Sequence, residues 1–191
     1  AKDAMALPAV SLESLEEGGF RLWVHAATIA ERIALESPLE RWLRQQGEAI
    51  TLGSSWVPLL TPALHKACQL SPGASQEALS VALELDADGQ LQHYRFCRSQ
   101  VSVDAAVDAK AMAAFLARKP KARTTPAALK ALKPHLPLLQ QLRAVVSLLL
   151  QQRLAVGGLE LDLPLADLDA LQLQGQGLPD QRNKGWLQTF A

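Results

Sequence analysis

The 191-residue chain is 49% hydrophobic and 20% charged, which is enough apolar material for a core and excludes a disordered polyelectrolyte. Its 19 Lys and Arg balance 19 Asp and Glu, so no global charge draws it to a polyanion or a membrane surface. No uncharged apolar run reaches the roughly 18 to 20 residues that cross a bilayer. The longest, residues 136–150, is broken by Pro137 and Arg143. Two cysteines, Cys68 and Cys97, build neither a disulfide framework nor a metal motif, and a cytoplasmic, membrane-free protein is the expectation. Because the first residue is Ala1, the chain is expected to be part of a longer one.

In chain order, Gly18-Gly19 is a turn, and Phe20 to Ala26 alternates with Phe20, Leu22 and Val24 on one face, predicting a half-buried strand. Ser37-Pro38-Leu39-Glu40 is a capping box with proline at the first helical position; it predicts a helix to about Gln46, stopped by Gly47. Gly53 to Pro62 is loop-like. Leu79 to Leu85 predicts a second strand with Leu79, Val81, Leu83 and Leu85 on one face. Asp86-Ala87-Asp88-Gly89 is a hairpin turn, and the strand returns over about Leu91 to Val101.

The period then changes. Alanine-rich Ala105 to Leu116 predicts a helix ended by Lys119-Pro120, Thr125-Pro126 begins a short one, and a longer one runs from near Pro137 to Ala155 and stops at Gly157-Gly158. Leu139, Leu142, Val146 and Leu149 form its core stripe. Leu159 to Leu163 and Leu171 to Leu173 predict short strands. The plan is α+β, an antiparallel sheet with hairpins followed by helices. It is expected to be one partial domain: a sheet-rich segment (19–101), a basic helical segment (102–158) and a strand and loop segment (159–191).

Charge is unevenly placed along this plan. Residues 1–108 carry eight bases against fourteen acids, whereas residues 109–159 carry nine bases and no acid. Such a run suits a phosphate backbone, and it equally suits helix faces solvated by long basic side chains. His25 lies on the polar face of its strand beside Arg21 and Trp23, where a hydrogen-bonded structural role is expected. His65, His93 and His135 have no zinc spacing. Tyr94, Arg95 and Arg98 stand on the returning hairpin strand, where stacking and charge suit RNA or a bare sheet face.

An ordered set of motifs resembles the first half of the RNB-type catalytic domain of the ribonuclease II and ribonuclease R family. Trp23 to Ala30 is similar to V-H-I-A-D-V. Gln46 to Leu52 followed by Val57 to Leu60 is similar to R-G-T-S-V-Y-L and I-P-M-L-P. Leu64 to Leu70 is similar to L-S-x-x-L-C-S-L with one residue deleted. Ala78 to Val81, Asp86 to Gly89 and Phe96 to Ser99 match A-L-S-V, D-x-x-G and F-x-R-S, and Arg153 to Pro164 is like R-x-x-x-G-A-L-x-x-D-x-P.

The resemblance implies a hydrolytic 3′→5′ exoribonuclease that degrades single-stranded RNA with Mg²⁺, with no role for DNA. It implies RNA contact by some of Lys110, Arg118, Lys119, Lys121 and Arg123, with Tyr94 and Arg98 of the returning strand as further candidates by position. The family opens this domain with D-x-x-x-x-x-D-x-D-D-A-L, because a hard cation needs several carboxylate oxygens in one place. Here that stretch keeps Asp3 alone as the catalytic and metal-ligand candidate. Anchored on Ala6-Leu7, Ala4 and Met5 stand where paired aspartates belong; anchored on Asp3, Met5 and Ala6 do. Thr28 replaces the aspartate of V-H-I-A-D-V, and Thr51 falls on the tyrosine of S-V-Y-L. The chain alone is therefore expected to be inactive. A catalytically degenerate homologue that binds RNA or a partner is the alternative.

Overall fold

A computed structural model describes residues 8–16, 18–52, 55–118 and 124–160. They fall into two compact units, residues 8–26 with 71–160, and residues 27–70. The first holds a four-stranded sheet in the order β1 (Ala9–Ser14), β2 (Phe20–Ala27), β5 (Ser75–Leu85), β6 (Leu91–Ser102). β1 pairs antiparallel with β2, and β5 antiparallel with β6. Across the central pair, Arg21 bonds Glu84 and His25 bonds Ser80, a falling register that makes β2 and β5 antiparallel too. Gly19 sits where this pair closes: a Cβ there would lie 2.2 Å from the Leu85 carbonyl oxygen.

Alternation gives this sheet two unlike faces. One carries Leu12, Phe20, Leu22, Val24, Leu83 and Leu85, and α4 (Leu136–Ala155) packs on it through Leu142 and Val145. Val145 is fully buried, and Leu142 and Val146 nearly so, with Leu139 and Leu149 packed at the margins, as the helical stripe predicts. Gly89 lets the β5–β6 turn meet α4, since a Cβ there would strike Leu148 at 2.6 Å. A second cluster joins Phe115 and Ala111 of α3 (Ala109–Ala117) to Leu129, Leu132 and Leu136.

The smaller unit holds α1 (Pro38–Gln46), a hairpin of β3 (Ile50–Leu52) and β4 (Ser55–Val57), and α2 (Pro62–Cys68). α1 begins and ends as the sequence requires: Ser37 Oγ accepts from the Glu40 N–H at 3.1 Å, and Gly47 takes φ 73°.

Four expectations are corrected. The segment 53–62 is not all loop, because β4 lies within it. The alanine-rich helix starts at Ala109 rather than Ala105, because the Asp108 carboxylate accepts from the Ala111 N–H at 2.7 Å and fixes the N-terminus there; Ala105 and Val107 pack on the core from outside the helix. After Pro126 there is a single 3-10 turn, Ala127–Leu129, followed by another at Lys133–His135. Leu159 and Glu160 are not in a strand, and the remainder of the strands expected beyond them lies outside the described residues.

The fully buried Leu129 ties two 3-10 turns to α3, so Leu129→Ala should cost about 2 to 5 kcal/mol through lost burial and a cavity. Leu79→Ala, on a half-exposed face, should cost well under half of that. The shift in urea midpoint of the two variants checks the contrast.

Candidate nucleic-acid interface

The polar face of the sheet is floored by small residues. Ala78, Ser80 and Ala82 of β5 are buried, and over them larger side chains reach across from both neighbouring strands. Arg95, opposite Ala82 in register, crosses β5 to place its guanidinium 5.3 Å from the Trp23 ring centroid. The Trp23 and His25 rings stack with centroids 6.0 Å apart and planes 8° from parallel. Trp23 Nε1 donates to Glu13 at 3.1 Å, and Arg21 donates to both Glu13 and Glu84. The Arg21 hydrogen bond holds the Glu84 carboxyl below its ordinary range, and the same bonds hold the Arg21 proton more firmly.

His25 Nδ1 and Ser80 Oγ share a hydrogen bond of 2.7 Å, and Ser80 in turn bonds Ser99. A neutral imidazole satisfies this line in either tautomer. Burial pushes His25 below its ordinary value of 6.5, and the ring is hydrogen-bonded within the sheet, as its strand position suggested.

The opposite face is apolar, and at β6 its rings are exposed. Tyr94 and Phe96 lie edge to face, with centroids 6.0 Å apart and planes at 80°. In register they stand opposite Leu83 and Val81, with Arg98 next along, opposite the exposed Leu79. Phe96 completes a ring pair that the sequence reading, which named Tyr94, Arg95 and Arg98, missed; its position two residues beyond Tyr94 on one strand was the available signal.

The basic candidates are spread over the helical segment. Lys110 is exposed in the first turn of α3, and Arg118 is half-buried at its C-cap, where positive charge suits the helix dipole. Lys130, Lys133 and Arg143 are also exposed, whereas Arg153 is engaged with Glu160 and the Leu159 carbonyl. Asp3, Lys119, Lys121 and Arg123 lie outside the described residues. Thr28 immediately precedes the 3-10 turn Ile29–Arg32 and makes no capping bond, and Thr51 pairs with Trp56 in the β3–β4 hairpin. Among the described residues no three His, Cys, Asp or Glu side chains converge to hold a cation, and Asp3 lies outside them. Among the same residues, no helix is long and apolar enough to cross a membrane.

Comparison with known proteins follows the same lines. The RNB domain family matches residues 1–184. Ribonuclease R of Escherichia coli K12 is 28% identical over 95 residues, 49% of this chain and 12% of that protein. The acetazolamide conferring resistance protein zam of Synechocystis is 30% identical over 159 residues, 83% of this chain and 19% of that protein. The chain thus spans under a fifth of either relative. Among solved structures, Mycoplasma genitalium RNase R in complex with ribose-methylated single-stranded RNA matches 79% of this chain and 22% of that one, with TM-score 0.64 and 16% identity. At that identity the likeness shows the fold alone.

The lowered His25 value sets a pH dependence. The unfolded chain takes up this proton near pH 6.5, before the folded one does, so stability falls as pH drops below that value. His25→Phe keeps a ring beside Trp23 but does not titrate. The loss of unfolding midpoint between about pH 7.5 and 5.5 should be smaller in this variant than in the unmodified chain; equal losses would show that His25 does not set it.

Proposed function

The chain belongs to the RNB-domain family, and on that premise we propose that it is part of a 3′→5′ exoribonuclease that hydrolyses single-stranded RNA. One observation carries the reading: the family match runs through the acid-free segment 109–159, whose nine bases suit a sugar–phosphate chain engaged without sequence readout. Lys110, Arg118, Lys119, Lys121 and Arg123 are the phosphate contacts in this reading.

Hydrolysis needs a nucleophilic water and charge neutralisation at the displaced phosphate, which two divalent ions supply when carboxylates hold them. A Mg²⁺ requirement rests on the family resemblance, with Asp3 as the carboxylate this chain offers at the family's cluster. A lone aspartate cannot hold two ions, so the 191-residue chain binds RNA and leaves it intact. A degenerate, non-cleaving homologue is the second reading, and Ala4, Met5, Thr28 and Thr51 at the family's carboxylate and tyrosine positions favour it.

A longer protein containing this chain should shorten 5′-labelled single-stranded RNA stepwise in Mg²⁺ and stop in EDTA. No ladder at any Mg²⁺ concentration would leave the non-cleaving reading. The 191-residue chain should give a salt-sensitive shift with intact RNA. Replacing Lys119, Lys121 and Arg123 by Ala should flatten its log-affinity against log-salt slope by about 2, at about 0.7 per phosphate contact.

A further inference from the structure

We draw no further inference here: the strongest candidate, the exposed aromatic face of β6 that carries Tyr94 and Phe96, is an apolar sheet face, and nothing in the structure shows what covers it.

Discussion

One helix covers the apolar face of a four-stranded sheet, and it is too narrow to cover all of it. A helix with its side chains is about 10 Å across, and strands lie about 4.8 Å apart. α4 therefore buries Leu12, Leu22, Val24, Leu83 and Leu85 of three strands and stops short of the fourth. The position of α4 follows from its own sequence, with Leu142, Val145 and Val146 on one side and Gln and Arg on the other, and from Gly89, which admits Leu148 against the hairpin turn. The exposure of Tyr94 and Phe96 on β6 is the direct result.

The other face is organised by what β5 lacks. Ala78, Ser80 and Ala82 are small enough for Arg95 to reach Trp23 and for Ser80 to join His25 to Ser99. A larger residue at 82 would stand between guanidinium and indole. The Arg21–Glu13 pair is screened by solvent, so the small floor and the buried hydroxyl matter more than the ion pair.

Much of this was legible before any coordinates. Alternation placed β2 and β5 with their inward faces, the Asp86–Gly89 turn placed the returning β6, and the Ser37 box with Gly47 placed α1. β1 was not visible, because Ala9–Ser14 has only Val10 and Leu12 as large apolar residues on its inner face and takes its identity from pairing with β2. α2 carried a readable cap, Thr61 before Pro62, within a stretch otherwise rich in loop residues. For α3, alanine content suggested an early start, while the cap at Asp108 decided it. Tyr94 and Arg98 were legible as surface groups of a strand; the exposure of Tyr94 with Phe96 depended on how far α4 reaches. The carboxylate cluster was legible only as a departure, since Asp3 stands by itself in its heptapeptide.

In the reading proposed above, α4 with three strands is scaffold, and β6 with α3 is the RNA-contacting surface. Hydrogen exchange of the 191-residue chain with and without single-stranded RNA tests this directly. Added protection should appear in Leu91–Ser102 and in α3, with α4 unchanged over the Leu142–Val146 turn that faces the sheet. Protection confined to residues 27–70, or spread evenly through the chain, would contradict the division.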